Sequence, residues 1–216
     1  MIDHYRARFP GCRIVVYDNM STDETVKITR ANGCEVVPFD TDNQFQDRRH
    51  MDIKNNCWKN ASTNWVLTCD LDELLDINER ELKMEDKLGT SIITPEGYDM
   101  VDMEDGSSIA ELKYGARQEG YDKYCLFNKR FIREMNYGIG AHECNPEGII
   151  KYSKKAYKLY HYSFIDENMT IKKRKEYGAR LSPENLKEGW SEYCLFTPEQ
   201  THAEYVDARS RAIKVR

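Results

Sequence analysis

The sequence lacks the short motifs that would assign a familiar nucleotide-binding or hydrolytic site at once. It contains no GxxxxGKS/T loop, no GxGxxG turn and no GxSxG elbow, so three large enzyme classes lose their usual support. It also lacks a CxxC pair, and its seven cysteines are odd in number and irregularly spaced. We therefore expect neither a zinc site nor a disulfide framework, but reduced thiols in a cytoplasmic compartment.

Long apolar segments and an excess of positive charge are missing as well. No apolar run approaches the roughly 20 residues that a membrane span needs, and residues 1–5 lack the apolar core of a signal peptide. The 32 Lys and Arg are outnumbered by 37 Asp and Glu, which gives a net charge of −5. Because a general nucleic-acid binder needs a basic surface, we expect neither a nucleic-acid partner nor a membrane span.

The residues that are present suffice for a folded domain. The chain has 216 residues, of which 40% are hydrophobic, and this composition supports a real core rather than disorder. No linker, internal repeat or low-complexity segment divides it. We therefore predict a single domain over 1–216.

The first half of the chain has the pattern of alternating strands and helices. Short apolar strands are predicted at 13–17, 34–38 and 65–69, with one helix that ends near residue 32 and another over 47–61 between them. Consecutive rather than alternating apolar residues are typical of strands buried on both faces of a parallel sheet. The pattern predicts an α/β fold with a mixed, mostly parallel central sheet flanked by helices.

The second half of the chain is less regular. Helices are predicted at 166–181 and 198–213, and residues 115–123 have the composition of a mobile loop. Lysines and arginines cover one face of the first of these helices, and this face contacts either phosphate or solvent. The remaining predicted elements are strands at 90–94, 98–103, 127–133, 148–152 and 156–164 and a turn at 104–108.

Acidic residues cluster directly after the strand at 65–69. Asp70, Asp72 and Glu73 fall within four positions, and a cation between them would relieve their mutual repulsion. Mg²⁺ and Mn²⁺ prefer oxygen ligands and are commonly shared between carboxylates and substrate phosphates. Ligands bind outside the carboxyl ends of strands in open α/β sheets, which favours a metal site. The alternative is a solvated acidic turn that begins a helix.

Further positions could carry chemistry, and each has a plain structural alternative. Asp18 and Asn19 end the first predicted strand, where they either contact a nucleobase or hydrogen-bond their own turn. His161 lies in an apolar strand and either completes a metal site or is a satisfied core residue. His142 and Glu143 follow a glycine-containing segment, which either borders a substrate, with Glu143 as general base, or forms a hairpin turn.

Three motifs, in order along the chain, give it a resemblance to a known family. They are a strand with an Asp-Asn-Met-Ser-Thr-Asp turn at 14–23, a Trp-hydrophobic-DxDE segment at 65–74, and a lysine strand, a His and a His-Tyr pair at 129–133, 142 and 161–162. With these features the chain resembles the GT-A glycosyltransferases, close to family 2 and the related family-92-like group. The arrangement is also similar to sugar-transferase domains of large algal viruses.

The resemblance implies a metal-dependent enzyme that moves a hexose or deoxyhexose from a UDP-sugar donor to a glycan or protein-linked acceptor. The nucleotide-binding part would be about residues 1–100 and the acceptor-side part about 101–216. A virus-encoded enzyme of this kind would work in the host cytoplasm. The family normally has a strand ahead of its opening helix, whereas this sequence begins in that helix. That strand either lies outside this chain or is replaced by another segment.

The resemblance also implies roles for residues of the donor site. Asp18 and Asn19 would contact the uracil or ribose, and Asp70 would contact the ribose or the metal. Asp72 would bind Mn²⁺ or Mg²⁺. His161 would complete the set of protein ligands to this metal.

On the acceptor side, the resemblance places His142 and Glu143 beside the acceptor or the reacting sugar. Glu143 would be the base if the reaction inverts the anomeric centre. Two alternatives stay open at this point. A haloacid-dehalogenase-like phosphatase would use Asp70 as its nucleophile, although Glu73 stands where that family usually has Thr or Val. A non-catalytic carbohydrate-binding domain would bind glycan without a metal.

Overall fold

Helices and strands alternate along the chain. The structure is a computed structural model that describes residues 1–104 and 106–216. The α-helices of this described part are α1 (Ile2–Arg8), α2 (Thr25–Ala31), α3 (Asp47–Asn56), α4 (Glu79–Lys87), α5 (Glu167–Gly178), α6 (Pro183–Glu188) and α7 (Pro198–Arg211). Short 3₁₀ helices cover Glu119–Tyr121, Ile139–Ala141 and Glu192–Leu195. In the described part no helix is both long and apolar enough to cross a membrane.

The strands are short, with two exceptions. Those of the described part are β1 (Val15–Asp18), β2 (Glu35–Pro38), β3 (Trp65–Leu67), β4 (Glu73–Leu75), β5 (Ile92–Val101), β6 (Tyr114–Arg117), β7 (Leu126–Asn128), β8 (Ile132–Glu134), β9 (Glu147–Gly148), β10 (Tyr152–Phe164) and β11 (Ile213–Lys214). The two long strands, β5 and β10, pair with each other and form the centre of the fold.

Most strands belong to one mixed sheet of seven strands. Its main path runs β11-β6-β5-β10-β4, with β7 beside β5 and β3 beside β7. Among the described residues, β5 and β10 form its one parallel pair, and its other pairs are antiparallel. A separate parallel pair, β1 and β2, is the predicted βαβ unit. The mixed α/β class is thus confirmed, whereas the prediction of a mostly parallel sheet is wrong.

Burial on both faces explains why the parallel prediction failed. The four consecutive residues 159–162 of β10 are all buried. Yet β10 runs antiparallel to β4 on one side and parallel to β5 on the other. Consecutive apolar residues therefore report that both faces of a strand are covered, and they do not report its direction. In the same way β3, which is three residues long, pairs antiparallel with β7.

Several segments differ from their predicted form. The single strand β5 replaces the two predicted strands at 90–94 and 98–103. The predicted mobile loop at 115–123 is wrong, because β6 and the 3₁₀ helix that follows it occupy most of this segment. The predicted turn at 104–108 includes Asp105, which lies outside the described residues.

Alternate residues of β10 build two layers of the core. Leu159 packs with Leu75 and Ile93 on one face of the sheet, whereas Tyr160 packs with Tyr98 on the other. Truncating such a buried side chain to Ala typically costs about 2–5 kcal/mol of stability. These two layers hold the long strands firmly in register.

On the face that carries Leu159, the next residues toward the end of β10 and on the strands beside it are polar. His161 follows Leu159 on the same face of β10, and it lies opposite Glu73 of β4 and Asp99 of β5. All three polar side chains are buried. Buried ionisable groups need partners, so this end of the sheet is where a functional site is to be sought.

Candidate functional site

The turn between β3 and β4 presents the acidic cluster. Asp70 and Asp72 lie in this turn, and Glu73 begins β4. The Asp70 backbone N–H donates to Glu73 Oε2 at 3.1 Å, and the Asp72 carbonyl accepts the Tyr162 N–H at 2.9 Å. Glu73 is 1% exposed. It therefore shapes the turn from inside, while Asp70 and Asp72 face outward.

Two lysines contact Asp70. Its Oδ2 lies 2.8 Å from Lys54 Nζ and 3.6 Å from Lys123 Nζ, and Lys123 also lies 2.6 Å from Glu73 Oε1. Burial would raise the pKa of Asp70, but the two ammonium groups outweigh it and hold this pKa well below its ordinary value. Burial would lower the pKa of Lys54, but Asp70 and Glu73 raise it to about 12. Asp70 and Lys54 are therefore both charged at neutral pH.

Asp72 faces a lysine and a histidine. Its Oδ2 lies 2.8 Å from Lys173 Nζ and 3.9 Å from His161 Nε2. Burial would raise the pKa of Asp72, but Lys173 and His161 outweigh it and lower this pKa. Lys173 belongs to α5, whose basic face was predicted to meet either phosphate or solvent. On this face Lys173 contacts the acidic turn, whereas Lys172 is exposed beside Glu176.

Tyr121 contacts both His161 and His142. Its ring stacks on that of His161 with centroids 3.8 Å apart and meets that of His142 edge-on at 5.3 Å. Lys123 Nζ lies 4.8 Å from its centroid. The 3₁₀ helix that carries Tyr121 packs directly on β5 at Gly97, where a Cβ would lie 2.6 Å from the Tyr121 backbone. A residue without a side chain is therefore required at this contact.

His142 is better placed for proton transfer than Glu143. His142 Nδ1 donates to the Gly120 carbonyl at 2.5 Å, so its Nε2 carries the free lone pair. Burial, with help from Lys123, lowers the pKa of His142, and the ring is uncharged at neutral pH. Both residues are exposed, but the Glu143 backbone carbonyl accepts the Gly138 N–H, whereas the His142 ring itself is held by a hydrogen bond.

The turn at Asp18 and Asn19 is separate from the acidic cluster in its hydrogen bonding. Asp18 Oδ2 accepts the Ser21 N–H at 3.1 Å, and Asn19 Oδ1 accepts the Thr41 hydroxyl at 3.0 Å. The Asp18 bond is ordinary turn chemistry. Among the residues that the structure describes, no hydrogen bond joins either side chain to Asp70.

An aromatic strip, made of Phe39, His50, Phe45 and Tyr177, links this turn with the acidic cluster. Phe39 directly follows β2, and the His50 ring meets those of Phe39 and Phe45 edge-on at 5.7 and 5.1 Å. Phe45 stacks on Tyr177 at 4.9 Å. Lys173 Nζ lies 5.8 Å from the Tyr177 ring centroid. A continuous row of rings thus runs from the end of β2 to the lysine beside Asp72.

Asp72 and His161 are the pair that fits a divalent cation. Two atoms bound to one ion at about 2.1 Å lie about 3–4 Å apart, and the 3.9 Å between Asp72 Oδ2 and His161 Nε2 is at the upper limit of this range. Asp70 is engaged by two ammonium groups instead. Among the described residues no group of three or more His, Cys, Asp or Glu side chains is arranged to hold a metal. A carboxylate with an imidazole favours a transition ion such as Mn²⁺ over Mg²⁺.

The structure gathers part of the predicted site and adds residues to it. The predicted residues that meet in one connected group are Asp70, Asp72, His161 and His142. The residues that the sequence did not single out are Lys54, Asp99, Tyr121 and Lys123. Tyr121 and Lys123 lie in the segment at 115–123 that was predicted as a mobile loop. The loop-like composition of this segment gave no reason to expect site residues there.

Comparisons with known proteins do not show a family for this chain. No family model matches the sequence, and no curated protein matches it. Among solved structures, the chain is similar to the crystal structure of S. aureus TarS, with a TM-score of 0.43 and 14% sequence identity. The match covers 97% of this chain, which spans 40% of the TarS chain. A likeness of this size carries no argument about activity, so a functional proposal rests on the site.

Proposed function

We propose that this chain is a metal-dependent glycosyltransferase that moves a sugar from a UDP-sugar donor to a glycan or protein-linked acceptor. The proposal is carried by one observation, the 3.9 Å approach of Asp72 and His161 on a turn that Lys54, Lys123 and Lys173 also contact. A nucleoside diphosphate is typically held by a cation with few protein ligands and by further positive groups. The order of the three sequence motifs supports the same function.

The charged side chains would have different roles in binding the donor diphosphate. A Mn²⁺ ion held by Asp72 and His161 would neutralise charge on the leaving nucleoside diphosphate. The Lys173 side chain is 45% exposed, so it can turn from Asp72 to a phosphate oxygen. Lys54 and Lys123 stay on Asp70 and supply positive charge from the other side.

The nucleoside would lie between the first turn and the aromatic strip. Asp18 and Asn19 sit at the carboxyl end of β1, where a uracil N–H or a ribose hydroxyl could reach the Asp18 carboxylate. The rings of the strip offer a surface on which a base can stack. A base stacked on the strip would place the diphosphate near Asp72, because Tyr177 of the strip lies beside Lys173.

The acceptor would approach from the side of His142. In an inverting reaction a base takes the acceptor hydroxyl proton, and the uncharged Nε2 of His142 is available for it. Glu143 is the second candidate base. The two differ in their relation to the site, because the His142 ring contacts that of Tyr121.

Calorimetric titration with UDP, GDP and CMP, with and without Mn²⁺, tests the proposal. We expect UDP to bind only with Mn²⁺, and Asp72→Ala to weaken this binding by at least about 100-fold, the upper end of the range for disturbed metal sites. The matched control is Asp52→Ala, which removes an exposed carboxylate of α3. It should leave UDP binding unchanged.

The same variants separate the proposal from its two alternatives. Metal-independent binding of all three nucleotides, or of none, contradicts the donor site. Phosphate release from simple phosphomonoesters that Asp70→Asn abolishes would favour the phosphatase. Glycan binding without metal, together with no turnover of any UDP-sugar, would favour the carbohydrate-binding domain.

A further inference from the structure

His161 is held on three sides by groups that leave one ring nitrogen open. Its Nδ1 lies 2.6 Å from Asp99 Oδ1, and Tyr121 covers one face of the ring at 3.8 Å. Its Nε2 lies 3.9 Å from Asp72 Oδ2, which is too far for a hydrogen bond. The imidazole is therefore fixed in place through Nδ1, and among the described residues no hydrogen bond engages Nε2.

The partner of Nδ1 decides which nitrogen carries the proton. A carboxylate only accepts hydrogen bonds, so Nδ1 donates to Asp99 and a neutral ring has its lone pair on Nε2. The sheet fixes this geometry, because Asp99 of β5 and His161 of β10 face each other in the parallel register. The His161 and Asp99 side chains are only 8% and 5% exposed, so water competes little for this bond.

Packing alone gives no reason for this pair. Replacing a buried ionic pair by well-packed apolar residues is often neutral or stabilising. Leu159, which precedes His161 by two residues on the same face of β10, shows that this face accommodates an apolar side chain one residue pair earlier. A carboxylate behind a histidine is, in contrast, the usual means of orienting an imidazole toward a cation.

We propose that Asp99 is a positioning residue that fixes His161 in the Nδ1–H tautomer and directs its Nε2 lone pair to the space beside Asp72. The inference rests on the proposed function only for what Nε2 binds there, a divalent cation. Asp99 does not contact that cation itself. It acts through His161, and Tyr121 keeps the ring in the plane that this requires.

Side-chain ¹H–¹⁵N NMR of the full chain, without metal or nucleotide and at a fixed pH of about 8, tests the tautomer directly. The chain has five histidines, and the His161 signals are identified by their loss in His161→Gln. We expect the wild-type His161 ring to carry its proton on Nδ1, the nitrogen that faces Asp99. In Asp99→Asn the amide NH₂ can donate to Nδ1, so we expect the Nε2–H form to gain population.

Binding of Mn²⁺ alone gives the second measurement. We expect Asp99→Asn to weaken it about 10- to 100-fold, as loss of a group that orients a metal ligand does. The matched control is Glu85→Gln, because Glu85 is also buried and accepts hydrogen bonds from Thr90 and Tyr157. This control should change neither the His161 tautomer nor the affinity for Mn²⁺.

Three results would overturn the inference: a wild-type His161 with its proton on Nε2, a tautomer that Asp99→Asn does not alter, or equal Mn²⁺ affinity of Asp99→Asn and wild type. The wild-type spectrum decides even if the variant does not fold. Failure of the proposed function can be distinguished from failure of this inference. If the chain binds neither Mn²⁺ nor UDP, the NMR spectrum still shows which nitrogen of His161 carries the proton.

Discussion

At the scale of single residues, Gly97 determines where Tyr121 lies. The Gly97 N–H donates to Asp122 Oδ1 at 2.8 Å, and the 3₁₀ helix before Asp122 passes directly over the glycine. This close passage brings the Tyr121 ring onto His161. A position in the middle of a strand thus controls one wall of the candidate site.

Gly97→Ala should destabilise the fold and disturb the site together. The new Cβ would lie 2.6 Å from backbone and side-chain carbons of Tyr121 and 2.7 Å from the Gln118 carbonyl oxygen. Overpacking of this kind typically costs about 1–3 kcal/mol, which urea denaturation would measure. Gly11→Ala is the control, since nothing lies within 4 Å of its Cβ. Equal stability of the two variants would contradict the close passage.

His142 should make the reaction rate depend on pH in one direction. Burial, with help from Lys123, lowers the pKa of its ring, so the unprotonated base predominates at pH 7. We expect kcat/KM for a UDP-sugar to be level from neutral pH upward and to fall in acid, as His142 takes up its proton. His142→Ala should lower kcat about 100-fold or more and remove this dependence. A larger loss in Glu143→Gln than in His142→Ala would make Glu143 the base.

At the scale of elements, α5 carries positive charge to the acidic turn. The Asp166 side chain caps its first turn by accepting the Met169 N–H at 2.7 Å. One turn after Met169, Lys173 reaches Asp72, and the next residue, Arg174, is buried. The ammonium group of Lys173 and an incoming cation therefore compete for the same carboxylate.

Lys173→Met should strengthen the binding of Mn²⁺ alone and weaken that of the nucleotide complex. Removing an exposed ion pair changes free energy by about 0.2–1 kcal/mol, so we expect a gain in Mn²⁺ affinity of up to about five-fold. Lys172→Met is the matched control on the same helix, because Lys172 lies beside Glu176 instead. If both variants bind Mn²⁺ equally, Lys173 does not compete at Asp72.

Elements also show how far the sequence could predict the structure. The predicted helices at 166–181 and 198–213 agree with α5 and α7 to within a few residues. Caps and apolar spacing are local signals that a sequence shows directly. Asp99 and His161 are 62 positions apart and meet only through the register of β5 and β10. No local pattern encodes that register, so the sequence indicated His161 without its partner.

At the scale of the whole molecule, α1 closes the edge of the sheet that bears the acidic turn. The Tyr5 hydroxyl accepts the Leu75 N–H at 3.0 Å and donates to the Glu73 carbonyl at 3.1 Å. His4 Nε2 donates to the Leu75 carbonyl at 2.9 Å. These side chains take the place of a neighbouring strand for β4, whose open edge would otherwise expose unpaired backbone groups. The helix therefore supports the site from behind.

Tyr5→Phe should test this support. The change leaves the buried Leu75 N–H without its acceptor, which typically costs about 1–3 kcal/mol. We expect this loss in the free energy of unfolding measured with urea. A loss below about 0.5 kcal/mol would show that α1 does not hold the edge. Tyr152→Phe, a change of the same kind on a ring that is 42% exposed, is the control.

Three histidines with lowered pKa values should make the folded molecule sensitive to mild acid. Burial is the main cause that lowers the pKa of His4, His50 and His142, and for His4 the value is about 4. An unfolded chain binds these protons near pH 6.5, before the folded chain does. Between pH 6.5 and 4 the unfolded state therefore holds more protons, and the free energy of unfolding decreases as pH falls.

His4→Gln should make this pH dependence less steep, by up to one proton in the slope between pH 6.5 and 4. The measurement is urea denaturation at several pH values across this range, with the glutamine amide still able to donate to the Leu75 carbonyl. His202→Gln is the control, because His202 is exposed and pairs with Glu167 on the surface. If His4→Gln keeps the full wild-type slope, then protonation of His4 does not contribute to the acid sensitivity. The acid sensitivity would in that case arise at His50 and His142, close to the site.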